Sequence, residues 1–512
     1  MEGHSLTHPD AGAETGGKGL KKNAIGFVDA LIIGLASTAP AYSLAAVLGA
    51  VALEVDLQAP AVLLFSFAPM FLIAAAFFYM NRADPDCGTA FSWITRAMGP
   101  YVGWMAGWAI CTTGILVIGS LADIAASSFY NIIGVDEPSK GVVTITAVAL
   151  IAAMTALCVI GTEISARFQR TLIVFQVSIL VVFAIVALIK VVGGDGAEGS
   201  VDPSLSWFNP FAVDGFEPFI IGLLTGVFIY WGWESAVNLN EEVENSNDAP
   251  GRAAVTSTVI LLFTYVLVTV AVIAYAGAKT VGESEDESLF FDVAEGVFGT
   301  PLDKLVVFAI LTSALASTQT TILPASRTTL SMARQDAMPE HFGRVHKRFL
   351  TPHFSTITIG VVAAVWYAFF NTVTQNFLFD SVTALAIMIA FYYSLTGFAC
   401  AIYYRRELTK SVKSFLFIGV APLVGGTILA YMFVRAIGYY SDPENADLSS
   451  TVLGLAMPAA IGIGLIILGA VLMLIWRLGG HAGFFGRRRE TADPDVAAGR
   501  KQGTAAVPER AV

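Results

Sequence analysis

Hydrophobic positions along the chain fall into about a dozen runs of roughly 20 residues, each bounded by short polar stretches. A helix of about 20 apolar residues covers about 30 Å, the hydrocarbon thickness of a bilayer. The pattern predicts membrane-spanning helices near 25–53, 59–80, 100–131, 142–160, 168–191, 217–240, 253–277, 302–332, 354–371, 378–404, 412–437 and 451–477. Two runs break their own pattern. Gly34-Leu35-Ala36-Ser37-Thr38-Ala39-Pro40 interrupts the first, and Phe228-Ile229-Tyr230-Trp231-Gly232-Trp233-Glu234-Ser235 the sixth. A helix broken inside a membrane leaves backbone groups without intrahelical partners, which is tolerated only where they line a cavity or bind something. Such breaks in matching positions of two halves point to the site of a secondary transporter.

The third and eighth runs are both long and rich in small or hydroxyl residues. Matching features thus lie five spans apart, and because five is odd the second set must be inverted in the membrane. The expected fold is an all-α integral membrane protein of twelve transmembrane helices. It has a five-plus-five inverted repeat, about 25–191 and 217–404, with helices 1 and 6 broken and two extra helices at about 412–477. Residues 1–24 are expected to be a cytoplasmic N-terminal tail, 25–478 the transmembrane domain, and 479–512 a disordered cytoplasmic tail. With the N-terminus inside, only Lys140, Lys190, Lys279, Lys304 and Arg435 of the 29 Lys and Arg fall on the outer side. That bias places both termini in the cytoplasm of a multi-pass cell-membrane protein.

Composition agrees. The 512 residues are 55% hydrophobic and only 13% charged, about half the charge of a soluble domain. A net charge of -11 argues against nucleic acid as a partner. The expected partners are a small-molecule substrate and membrane lipid, with the chain as a monomer or homodimer. Cys87, Cys111, Cys158 and Cys400 have no metal-ligand spacing, and neither a cofactor nor a metal is expected. The first apolar run is too long for the apolar core of a cleavable signal peptide.

Three blocks carry a family resemblance. Asp86-Cys87-Gly88-Thr89-Ala90-Phe91-Ser92-Trp93-Ile94-Thr95-Arg96-Ala97-Met98-Gly99-Pro100, with Gly103-Trp104-Met105-Ala106-Gly107-Trp108 after it, resembles the loop between the second and third helices of the amino acid–polyamine–organocation permeases. Gly232-Trp233-Glu234-Ser235-Ala236 with Glu241-Glu242-Val243-Glu244-Asn245 is similar to the exit of their sixth helix. The run from Ala325 to Pro339, with Thr351-Pro352 beyond it, is similar to the end of their eighth. The resemblance spans about residues 23–478. It implies twelve helices in the five-plus-five arrangement and transport of amino acids or amines by alternating access. The chain departs from the family at Ser37-Thr38-Ala39-Pro40, where many relatives have a Gly-Ser-Gly type stretch. It departs again at Gln176, near a lysine of several proton-coupled relatives.

Residue chemistry suggests roles. A helix restarted at Pro40 offers unpaired amides and a positive dipole end to a carboxylate. Ala36, Ser37, Thr38 and Ala39 are the candidate binding residues, a packed proline kink being the alternative. The substrate ammonium would meet carbonyls at Phe228, Ile229 and Trp231, where Gly232 lets the chain unwind. The resemblance makes Phe228 the aromatic that covers the substrate. Ala106, Gly107 and Cys111 leave room on the third span for a ligand, or for close helix packing. Glu234 must face a cavity, pair, or hold a proton. It is the candidate for gating and coupling, alongside Gln176, with a structural hydrogen bond as the alternative. The hydroxyl run at Ser317 and Thr318 resembles a sodium site of the wider fold, or is interhelical glue. Arg327, Arg334, Asp336, Arg82 and Arg96 are placed to pair across the inner mouth.

These readings converge on a secondary active transporter of amino acids, ion-coupled or exchanging. A polyamine or amine permease is the alternative, though it would want a second carboxylate. A membrane enzyme or sensor would need catalytic groups within the spans or an attached domain, and all six His lie outside the spans. No Walker A, HExxH or GxSxG stretch is present.

Overall fold

The computed structural model describes residues 17–135, 138–283, 288–374, 376–445 and 449–493. In chain order its helices are α1 (Phe27–Ser37), α2 (Pro40–Val55), α3 (Ala59–Ala83), α4 (Ala90–Met98), α5 (Pro100–Ile132), α6 (Lys140–Ile160) and α7 (Thr162–Gly193). Then come α8 (Phe216–Ile229), α9 (Ser235–Asn238), α10 (Ala249–Ala276), α11 (Ala278–Gly282), α12 (Ser288–Phe298), α13 (Lys304–Arg334), α14 (His353–Val373) and α15 (Phe377–Tyr403). The last are α16 (Val412–Ser414), α17 (Ala421–Tyr440), α18 (Met457–Leu478) and α19 (Ala482–Phe485). A π-helical stretch, Phe415–Val420, joins α16 to α17, and a two-residue antiparallel ladder, Thr451–Val452 with Leu455–Ala456, precedes α18. The twelfth run therefore turns helical only at Met457, because Gly454 and the hairpin occupy its first residues.

Proline punctuates the fold. It occupies the first turn of α2, α3, α5, α10, α17 and α18, where a missing N–H takes nothing from the helix. Among the described residues, ten stretches are long and apolar enough to cross a bilayer. The first, Phe27–Ala83, runs 57 residues through three helices, and the shorter apolar α8 stands apart from the ten. Both sequence interruptions are real breaks. α1 ends at Ser37 and α2 starts at Pro40, with Ala39 left-handed between them at φ 47°. α8 ends at Ile229, and α9 begins only after the turn through Gly232.

α5 and α13, 33 and 31 residues long, pack along each other at the centre. Small residues permit the approach: a Cβ on Gly114 would sit 3.2 Å from the Ala325 Cβ. α1, α2, α8 and α10 gather around this pair. Peripheral helices turn large apolar side chains outward, among them Ile145, Val365, Val434 and Ile475. In a bilayer those side chains face lipid, which is as apolar as they are.

The described parts of both tails pack against the body. Lys18 and Leu20, in the N-terminal tail, are buried. Residues 479–493, expected to be disordered, are also packed. Phe484 and Phe485 are buried with Phe91, Trp104 and Met332, and the amides of Glu490 and Ala492 donate to the carbonyls of Arg96 and Tyr403. The two phenylalanines supply the apolar surface that a reading of bulk composition missed. Residues 494–512 lie outside the described residues.

Candidate functional site

The two breaks are pressed together. Gly232 has φ +116°, and a Cβ there would lie 2.6 Å from the Ser37 carbonyl oxygen and 2.9 Å from the Thr38 nitrogen. Only glycine combines that dihedral with that approach. Side chains complete the junction. The hydroxyls of Ser37 and Ser235 are 2.7 Å apart, and Ser317 Oγ donates to the Ser37 carbonyl at 2.7 Å. The Thr38 carbonyl accepts from Ser43 Oγ at 2.6 Å and from Tyr265 OH at 3.4 Å.

Glu234 sits at this junction, 6% exposed. Its Oε2 accepts from the Gly232 amide at 3.0 Å and its Oε1 from Tyr392 OH at 2.6 Å. Tyr392 in turn accepts from Trp231 Nε1 at 2.5 Å. One donor on each oxygen leaves lone pairs free on both. The carboxyl lines a small cavity with Ser37, Trp231, Ser235, Asn238 and Thr321, closed by Ile110, Gly114, Pro324 and Ala325. Its free space, about 10 Å³, is that of one water molecule.

The expected site residues divide. Ser37, Trp231 and Glu234 line the cavity. Phe228 is buried at the end of α8, its ring 6.3 Å from that of Tyr42 and edge-on to it. Its carbonyl already accepts from the Trp231 amide at 2.9 Å. Among the described residues the carbonyls of Ile229 and Trp231 accept no hydrogen bond. Ala36, Ser37, Thr38 and Ala39 are not the free donors they were expected to be. The Ala39 amide donates to the Ala36 carbonyl, the Thr38 hydroxyl turns back to the Leu35 carbonyl, and the Ser37 hydroxyl pairs with Ser235. The cause is that Ala39 closes α1 as well as opening α2. With no N–H on Pro40, the Ala41 amide is the first of α2, and the Ser43 amide already donates to the Ala39 carbonyl at 2.8 Å.

On α5 the expected trio is displaced. Ala106 is in the core, and a Cβ on Gly107 would meet Met332 Sδ at 2.8 Å and Phe91 at 3.0 Å, so this stretch serves helix packing. Cys111 Sγ lies 3.9 Å from the Ala325 carbonyl. Ile110 and Gly114 are the residues of this helix that reach the cavity. Gln176 lies between α7 and α13, its Nε2 3.4 Å from Thr312 Oγ1. Ser317 contacts the Ser37 carbonyl, whereas the Thr318 hydroxyl donates to Ala314 within its own helix, so the two engage different acceptors. Asp29, in the first turn of α1, pairs with Arg170 at 2.5 Å.

Reading the sequence missed a buried ion-pair cluster. Lys18 Nζ lies 2.8 Å from Asp86 Oδ1 and 2.6 Å from Glu241 Oε1, nearly all of it buried. Gly88 N, Ser92 Oγ and Ser331 Oγ also donate to Asp86 Oδ1. Burial alone would lower the Lys18 pKa, but the charges of Asp86 and Glu241 hold it well above its usual value. Burial would likewise raise Asp86, yet Lys18 and the hydrogen bonds hold it well below the carboxylate range. Nearby, Arg327 pairs with Glu242 at 2.9 Å and Arg96 with Asp84 at 3.1 Å. The expected ion pairs thus exist for Arg327 and Arg96. Asp336 meets His481, and Arg334 donates to the Lys18 carbonyl.

A match to the amino acid permease family covers residues 25–466. The chain belongs to that family. The low-affinity putrescine importer PlaP of Escherichia coli K12 is 24% identical over 458 residues, 88% of this chain and 94% of that protein. The methylthioribose transporter of Bacillus subtilis is 24% identical over 381 residues, 70% of this chain and 77% of its own. The branched-chain amino acid permease BcaP of Lactococcus lactis is 23% identical over 373 residues, 69% and 76% of the two chains. A solved structure of MhsT in complex with L-phenylalanine superposes with a TM-score of 0.56 at 16% identity, covering 79% of this chain and 98% of that one. The permease therefore shares that fold and is a multi-pass membrane transporter, from a family of transporters and not of enzymes.

Proposed function

We propose that the permease is a secondary active transporter of amino acids in the cell membrane, working by alternating access with both termini in the cytoplasm. The observation that carries this reading is the junction of two broken helices at Gly232 and Ser37, with one carboxylate beside it. The substrate carboxylate meets the Ala41 amide at the start of α2. Its ammonium meets the carbonyls of Ile229 and Trp231, and Phe228 covers it. Glu234 couples the cycle: a carboxyl at this depth must be protonated or paired, so it can carry a proton or release one when a substrate cation arrives. The twelve-span count divides Phe27–Ala83 into two crossings and adds the interrupted pair α8 and α9 as one.

The cavity is too small for an amino acid, so α1 and α9 must part from α5 and α13 to admit one. The Lys18–Asp86–Glu241 and Arg327–Glu242 pairs hold the cytoplasmic side shut meanwhile. Sodium at Ser317 and Thr318 is the other coupling scheme, and it would require Ser317 to release the Ser37 carbonyl. Amine transport has specific support in the likeness to a putrescine importer over 88% of this chain. The test is uptake of labelled amino acids and amines by the purified protein in liposomes under imposed proton or sodium gradients. Gradient-dependent amino acid accumulation is expected, and its absence with every substrate overturns the proposal.

A further inference from the structure

We propose that the cavity beside the breaks receives a terminal ammonium, so that the substrates are basic amino acids or diamines. This rests on the transport reading above. Asn238 and Thr321, 2% and 3% exposed, line the cavity, and among the described residues Asn238 Oδ1 and Thr321 Oγ1 have no hydrogen-bond partner. Asn238 lies one helical turn after Glu234, its amide donating to the Glu234 carbonyl at 3.0 Å, so both side chains fall on one face.

The indole, phenol and backbone donors around the cavity are already taken. Trp231 Nε1 is committed to Tyr392, Tyr392 OH and the Gly232 amide to Glu234, and the Ser37 and Ser235 hydroxyls to each other. What remains is a carboxylate with spare lone pairs, with the Asn238 amide and the Thr321 hydroxyl, each of which can accept through its oxygen. Each kind of substrate end can be weighed against that set. A carboxylate would face Glu234. A methyl would leave three buried acceptors unpaired. An ammonium has three donors and one positive charge, which answers three acceptors and one negative charge. It is also close to water in size, and the cavity has the volume of one water. Ile110, Pro324 and Ala325 supply apolar wall for a methylene stem, and the Trp231 ring a face for the cation.

The test uses the full chain in liposomes. Labelled lysine, cadaverine and norleucine are compared; norleucine is lysine without its terminal ammonium, and cadaverine is lysine without its carboxylate. Lysine or cadaverine should compete for uptake at about ten-fold or more lower concentration than norleucine. Thr321→Val and Asn238→Leu should collapse that ratio, and Thr321→Ser should restore it. Should Asn238→Leu not reach the membrane, the two Thr321 variants decide alone. Norleucine competing as well as lysine, or a ratio that survives the variants, overturns the ammonium subsite and leaves the transport reading standing. If no amino acid or amine moves at all, both readings fall together. Preference for lysine over cadaverine marks a basic amino acid as the source of the ammonium, and the reverse marks a diamine.

Discussion

Gly232→Ala isolates the contact on which the site depends. The new methyl would lie 2.6 Å from the Ser37 carbonyl oxygen and 2.7 Å from its carbon. No side-chain rotation relieves this, because both neighbours are backbone. The dihedral of φ +116° adds strain of about 1–3 kcal/mol for any residue with a Cβ. Moving Ser37 away stretches the Ser317–Ser37 and Ser37–Ser235 hydrogen bonds, at about 1 kcal/mol each. The total is about 3–5 kcal/mol, localised at the junction of the breaks. The assays are thermal unfolding of the detergent-purified protein and uptake in liposomes. The variant should insert, melt several degrees lower and lose uptake by at least about ten-fold. Parent uptake and parent melting temperature together would refute the idea that apposed breaks form the site.

Phe228→Ala should weaken substrate affinity in equilibrium binding while surface abundance stays at the parent level. Lys18→Met strands buried Asp86 and should lower thermal stability by about 3–5 kcal/mol. The depressed Asp86 pKa contributes stability that is present above the ordinary carboxylate pKa and lost as pH falls below it; the raised Lys18 pKa contributes below pH 10.5 and is lost above. The melting difference between parent and Lys18→Met should therefore be flat from about pH 5 to 9 and shrink below about pH 4. Phe484→Ala, outside the transport site, should lower stability by about 3 kcal/mol through lost burial, and an unchanged melting temperature would show the docked tail to be dispensable.

Much of this fold was written in the hydrophobic pattern. Runs of 20 apolar residues mark spans, and Pro40 and Gly232 mark breaks, because proline and glycine act locally on the backbone. The donors at the first break were misassigned because Ala39 serves two helices at once, a fact of φ and not of composition. Gly107 and Gly114 look alike in sequence, and only the packing of α5 on α13 decides which faces the cavity. Asn238 did carry a signal, four residues after Glu234 on a helical face. Tyr392 and Lys18 carried none: one lies in an apolar span, the other in a polar tail, and each finds its carboxylate far away in sequence.

The most direct test of the account is the pH dependence of uptake by Glu234→Gln in liposomes, beside the parent. Glutamine keeps the shape and removes the titratable proton. The account predicts uptake by the parent that varies with pH and a flat profile for Glu234→Gln, with substrate counterflow the activity most able to survive. A Glu234→Gln profile that follows the parent would contradict it, leaving Glu234 as a structural link between α9 and α15.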